Sequence, residues 1–201
     1  MKRLISLIIG VILAITLFLS CSKQEKELVD NKTESTKIPT MAEPTPNYEL
    51  PPEQMDLSFK GITNKQLADM LQNGEISADV TALELSFNAI NDLGVFNGLV
   101  NLNYLGLMGN KIKDINALGD LTNLTDLYLA GNEINDISTL SNLTNLTTLY
   151  LSVNKISDIS ALCDLTNLVV LSIDDNLIID DQKSDLIVAL PNCEITFFEV
   201  E

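Results

Sequence analysis

Three consecutive segments of this chain superimpose when slid by 22 residues: LNYLGLMGNKIKDINALGDLTN from Leu102, LTDLYLAGNEINDISTLSNLTN from Leu124 and LTTLYLSVNKISDISALCDLTN from Leu146. A weaker copy starts at Val80 and a fading one at Leu168. A unit this short cannot bury its own apolar face. It must stack on its neighbours and share a continuous core with them. The period therefore predicts a solenoid, which grows by adding units and leaves two ends to be covered.

Each unit divides into a strand, a turn and a return. From Leu124 to Asn132 the alternation of a strand places Leu127 and Leu129 inward, with Leu124 leading in, and turns Asp126 and Tyr128 outward. Asn88, Asn110, Asn132, Asn154 and Asn176 recur where the chain leaves the strand. A buried amide there can bond to backbone groups that the bend leaves unpaired, and stacking makes a ladder of such bonds. Ile90, Ile112, Ile134, Ile156 and Ile178 follow as inward residues of the turn. Asp92, Asp114, Asp136 and Asp158 are expected to accept from local backbone amides.

The pattern Leu-x-x-Leu-x-Leu-x-x-Asn-x-Ile-x-Asp-Ile at this period resembles the leucine-rich repeats of internalin-type bacterial surface proteins. The resemblance covers residues 80–180, about half of the chain; the first register departs at Val80 and Leu93, and the last after Ile178. It implies a horseshoe with a parallel sheet on the concave face and short 3₁₀ or irregular segments on the convex face. It also implies a protein-binding role, usually through the concave sheet. Five strands about 4.8 Å apart would span about 20 Å, a short arc.

The flanks are predicted to be caps. Residues 57–79 read as an N-terminal cap: Thr63 and Gln66 fit a capping box, Leu67, Met70 and Leu71 form one apolar helix face, and Asn73-Gly74 ends it. Leu57 and Phe59 are expected to pack beneath. Residues 181–201 read as the C-terminal cap. Its helix runs from Asp181 to Leu190, with Leu186, Leu190 and either Ile187 or Val188 apolar, and a closing strand runs from Cys193 to Val200 with Ile195 and Phe197 inward.

At the N-terminus, Lys2 and Arg3 precede 16 uncharged residues, Leu4 to Leu19. That run is short for a bilayer span and reads as a signal peptide over residues 1–20. Ser20-Cys21 resembles the lipobox of bacterial lipoproteins, although Phe18 and Leu19 are bulkier than is usual at their places. The resemblance implies that Cys21 is acylated (palmitate among the acyl groups) and holds an exported protein at the cell membrane. Residues 22–56, rich in charge at first and then in proline, read as a disordered tether beyond Cys21, giving an anchored segment over 21–56.

Charge narrows the partners. The chain has 12 basic and 28 acidic residues and no histidine; loss of Lys2 and Arg3 with the leader leaves 10 basic residues. Such a chain lacks the basic footprint that nucleic acid requires. It would also be repelled by anionic lipid without a covalent anchor. Catalysis has little to work with: no histidine, no glycine-rich phosphate loop and no paired CxxC. The acid pairs Asp174-Asp175 and Asp180-Asp181 would need a desolvating cleft before they could act as a hydrolase, so no enzyme, cofactor or metal site is expected. Whether Cys163 and Cys193 pair is left open by the sequence.

The informative residues are those the repeat does not need. Phe87, Tyr104, Met108, Asp126, Tyr128, Thr148, Tyr150, Val153, Val170 and Asp174 are placed on the open side, with Tyr128 and Tyr150 at the centre. Exposed tyrosine and methionine are common makings of a binding hot spot. The reading is a monomeric, lipid-anchored surface module for a protein or peptide, with the acidic surround favouring a basic partner. An architectural envelope protein is the alternative, and a surface hydrolase the remote one.

Overall fold

The inward leucines do in three dimensions what their spacing requires. Leu83, Leu105, Leu127, Leu149 and Leu171 are all fully buried. They form one stripe of a core that continues through the second leucine of each strand and the turn isoleucines Ile90 to Ile156. The computed structural model describes residues 54–197. The leader, Cys21, most of the tether and residues 198–201 lie outside the described residues. The repeats and both caps lie in one compact unit.

Seven strands form a single all-parallel sheet in chain order. They are β1 (Met55–Asp56), β2 (Ala82–Glu84), β3 (Tyr104–Gly106), β4 (Asp126–Tyr128), β5 (Thr148–Tyr150), β6 (Val170–Ser172) and β7 (Glu194–Thr196). The four returns between β2 and β6 each carry a 3₁₀ segment, at Gly94–Phe96, Asn116–Leu118, Ser138–Asn142 and Ser160–Leu162. Two α-helices flank the stack, α1 (Asn64–Gln72) and α2 (Asp180–Ala189). This is the leucine-rich-repeat horseshoe with N- and C-terminal caps.

To the five repeat strands the C-terminal cap adds the closing strand expected of it, seen at Glu194–Thr196, and the N-terminal cap adds one that was not expected. Met55 and Asp56, placed by the sequence in the tether, pair with Leu83 and Glu84 instead. Leu57 N–H continues the ladder to Glu84 O at 2.8 Å. Six spacings of about 4.8 Å give an arc of about 29 Å.

The asparagine ladder is complete. Asn132 Nδ2 donates to Leu107 O and Leu129 O, both at 2.9 Å, while its Oδ1 accepts from Ile112 N–H at 3.1 Å. Asn110, Asn154 and Asn176 repeat the scheme one repeat away at each step. Asn88 carries it into the cap, donating to Leu57 O and accepting from Ile62 N–H at 2.8 Å. Every amide thus ties its own turn to the one before. The aspartates act locally: Asp92, Asp114, Asp136 and Asp158 each accept from the backbone N–H two residues on, at 2.8–2.9 Å, at the start of the 3₁₀ segment. A second asparagine row was not anticipated. Asn123, Asn145 and Asn167 donate to Val100 O, Thr122 O and Thr144 O, and the recurring Thr-Asn pair was its only sequence mark.

The caps follow the prediction in outline and correct it in detail. α1 has the full capping box, with Thr63 N–H donating to Gln66 Oε1 at 3.0 Å. Leu67 is fully buried beneath it. Phe59 does not pack beneath: it is 60% exposed, in a left-handed turn. In α2 only Leu186 is buried, and Leu190 just after it; Ile187 and Val188 both face solvent, Val188 at 80% exposure. Ile195 and Phe197 are half-buried against the core.

Candidate functional site

The parallel register sorts the outward side chains into rows that run across the strands. The first row is Ala82, Tyr104, Asp126, Thr148, Val170 and Glu194. The second is Asp56, Glu84, Gly106, Tyr128, Tyr150, Ser172 and Thr196. Two residues further on come Ser86, Met108, Ala130, Ser152 and Asp174, followed by Phe87, Gly109, Gly131, Val153 and Asp175. All ten residues singled out by the sequence lie in these rows, so the fold gathers them on one face. None of them is fully exposed.

Three tyrosines form the centre. The Tyr128 and Tyr150 rings stack at 5.1 Å between centroids, 22° from parallel. Tyr104, two residues out of register, tilts against Tyr128 at 5.2 Å. Offset aromatic pairs at this distance add to sheet stability beyond the area they bury. Tyr128 is only 9% exposed because a ring covers it on each side. It is therefore the support of the face; Tyr104 and Tyr150, both half-buried, supply its surface.

Glutamate 84 closes the N-terminal side. Its Oε2 accepts from the Tyr104 hydroxyl at 2.7 Å and its Oε1 from Ser86 N–H at 2.7 Å. The carboxylate lies over Gly106, where a Cβ would overlap it. Burial, then the adjacent Glu84 charge, pushes the Tyr104 phenol far above its ordinary pKa of 10, so it stays a donor. On the C-terminal side, Asp174 Oδ1 accepts from Ser152 Oγ at 2.6 Å and from Ser172 Oγ at 3.0 Å. Asp126 Oδ2 accepts from Thr125 Oγ1 at 2.7 Å. No lysine or arginine occupies an outward position on any of the seven strands. Lys113 and Lys155 belong to the turn and converge on Glu133 at 3.7 and 2.9 Å, while Lys60 Nζ donates to Asp56 O at 2.9 Å at the N-terminal edge of the sheet.

The last row has a different logic from the one expected. Phe87, Val153 and Asp175 are left-handed, at φ 57°, 57° and 51°, as are Gly109 and Gly131 at 61° and 70°. The turn before each ladder asparagine demands positive φ, which glycine adopts without strain. Phe87 and Val153 are thus part of the bend as well as of the face. The two glycines in this row were the signal. Phe59 extends the row into the cap and stacks on Phe87 at 4.5 Å, 11° from parallel, with the Phe87 ring resting over Gly109.

The acid pairs do not form a cleft. Asp175 is exposed, yet what burial it has, followed by the Asp174 charge, raises its carboxyl above 3.8. Asp174 and Asp175 border a shallow depression of about 30 Å³ with Ile178, Lys183 and Phe197. Among the described residues, His, Cys, Asp and Glu side chains nowhere gather in a group of three that would hold a metal. Cys163 and Cys193 are both free thiols. Burial, with Glu194 nearby, pushes the Cys193 thiol up to about 11, and burial raises Cys163 as well.

The parallel solenoid thus carries a stacked aromatic centre among carboxylates on its concave sheet. A leucine rich repeat model matches residues 78–134, and a model of leucine rich repeats in two copies matches residues 122–164 and 144–187. The chain is a leucine-rich-repeat protein, structurally related to bacterial internalins and other leucine-rich-repeat surface proteins. Internalin C2 of Listeria monocytogenes is similar at 28% identity and a TM-score of 0.54, covering 72% of this chain and 70% of its own. A leucine-rich-repeat protein of Leptospira interrogans is similar at 26% identity and a TM-score of 0.50, over 60% of this chain and 38% of its own. The TLR13 chain of a TLR13–ssRNA13 complex is similar at 31% identity and a TM-score of 0.59, over 75% of this chain and 22% of its own. This chain thus spans less than half the length of the latter two. No curated protein matches the sequence.

Proposed function

We propose that the protein is an exported surface module, anchored through acylated Cys21, that binds a protein partner on its concave face. The observation that carries this reading is the ladder of Tyr104, Tyr128 and Tyr150. Folding of the repeat does not require tyrosine there: Gly106 and Ser172 fill the same row. Aromatic side chains on a rigid sheet offer large contact area with little entropy left to lose. The carboxylates around them favour a basic partner. They also oppose the transfer of RNA binding from the TLR13 complex, since phosphate would meet Asp126, Glu84 and Asp174 with no cation in the strands.

The test compares full-length protein with a Tyr128→Ser/Tyr150→Ser variant as bait on the cell surface, with folding checked by circular dichroism. Loss of the captured partner by a folded variant is expected. Equal capture by both forms would sink the concave-face reading. The anchor is tested separately, by metabolic labelling with a fatty-acid analogue in wild type and Cys21→Ser. Label should vanish in the variant; unchanged label would defeat the anchor.

A further inference from the structure

The first register departs from the repeat at two places that would close its end of the core. Leu99, Leu121, Leu143 and Leu165 are buried one repeat after another, and so are Leu102, Leu124, Leu146 and Leu168. Ser77 and Val80 stand 22 residues before Leu99 and Leu102. The backbone there is that of the repeat: Val80 N–H donates to Ser77 O at 3.1 Å, as Leu102 N–H does to Leu99 O. The side chains are shorter, and Ser77 is exposed where the leucines are sealed. They open a cleft of about 340 Å³ between β1 and the loop from α1 to β2. Its lining is divided by chemistry. Met55 and Val80, both packed against the core, supply apolar surface. Glu75 and Asp79 bring carboxylates, and Ser77 and Thr81 bring hydroxyls. Among the described residues no lysine or arginine lines it. Asn73 Nδ2 donates to Glu75 Oε1 at 2.6 Å, and Asn101 Nδ2 to Asp79 Oδ1 at 3.3 Å. Neither carboxylate can then offer both oxygens to the fork of a guanidinium, whereas an ammonium donates to one oxygen at a time.

We propose that this cleft takes a lysine side chain presented by another protein. The methylene stem lies along Met55 and Val80, and the ammonium donates to the remaining oxygen of either Glu75 or Asp79. Charge complementarity selects a cation, and the apolar surface selects one carried on an aliphatic stem. The cleft lies where the chain enters the strands, away from the tyrosine rows, so it does not rest on the concave-face reading.

Methyl NMR of the full chain tests it, because the chain holds five methionines, of which Met55 lines the cleft and Met108 lies on the concave face. Met55→Leu assigns the signal. The probe is the peptide Ac-Gly-Lys-Gly-NH2, with its Nε-acetyl-lysine and arginine counterparts as controls. The Met55 methyl should move with the lysine peptide, less with arginine and not with acetyl-lysine, while Met108 stays still. Glu75→Gln/Asp79→Asn should weaken the apparent affinity about two- to fivefold, the range of exposed ion pairs. Ser77→Leu restores the leucine of the repeat and should abolish the shift without lowering the urea midpoint. Five results would each overturn the assignment: equal shifts with acetyl-lysine, a larger shift at Met108 than at Met55, undiminished affinity in Glu75→Gln/Asp79→Asn, a shift retained by folded Ser77→Leu, or a still Met55 methyl at peptide concentrations well above millimolar. The Tyr128→Ser/Tyr150→Ser variant should keep the full Met55 shift, which separates failure of this site from failure of the concave face.

Discussion

Val153 is a β-branched residue held at φ 57°, where its neighbours in the row, Gly109 and Gly131, are glycine. A left-handed L-residue carries about 1–2 kcal/mol of strain, partly offset by the entropy that glycine loses on folding. Val153→Gly should therefore raise stability by about 0.5–1 kcal/mol in urea unfolding, and Gly131→Val should lower it by a similar amount. Opposite signs at equivalent positions are the decisive result. Asn132→Ala belongs with these. The buried amide satisfies two carbonyls and one N–H across two turns, so losing it should cost on the order of 3 kcal/mol by the same measurement. The period identified Asn132 and the neighbourhood of Tyr128 and Tyr150 correctly. It could not give the sign of φ at Val153 or the burial of Tyr128, which depends on a ring on either side.

The 3₁₀ segments depend on a charged acceptor at their start. The backbone N–H of Ser138, then its hydroxyl, holds the Asp136 carboxyl below its ordinary 3.8, and Ser160 does the same for Asp158. A carboxyl with a depressed folded pKa adds stability that is present above its unfolded pKa and lost as pH falls through the folded one. The penalty of Asp136→Ala should thus be measurable near neutrality and shrink below about pH 4, approaching zero once the wild-type carboxyl is protonated. Asp175 has the opposite sign, since its raised carboxyl favours the folded state at low pH and that contribution fades as pH rises through the folded value. In the caps, Thr63→Ala removes one half of the capping box on α1 and should cost about 1 kcal/mol. The cap helices were readable from their apolar spacing and capping residues. Strand β1 was not, because two residues beside prolines carry no period, and their pairing is dictated by the edge of β2.

A stack held together by nearest neighbours has no single point of failure, but it has weaker ends. Leu105, Leu127 and Leu149 are sealed on both sides, whereas Ile178, Ile195 and Phe197 of the last turn and cap are only half-buried. Amide exchange should accordingly be slowest in β3–β5 and fastest in α2 and β7. Uniform exchange across the sheet would show that the molecule opens as one unit.

The reach of the ladder amides gives the chain a property of interchangeable parts. Asn154 donates to Leu129 O and accepts Ile134 N–H, both in the turn immediately before its own. Excise Leu124 to Asn145 and the same atoms of Leu107 and Ile112 arrive in their place, leaving no amide stranded. The spliced protein should fold, with Tyr150 set directly beside the turn that bears Tyr104. In this molecule the width of the concave face can be edited in whole units of sequence, without leaving any ladder amide unpaired.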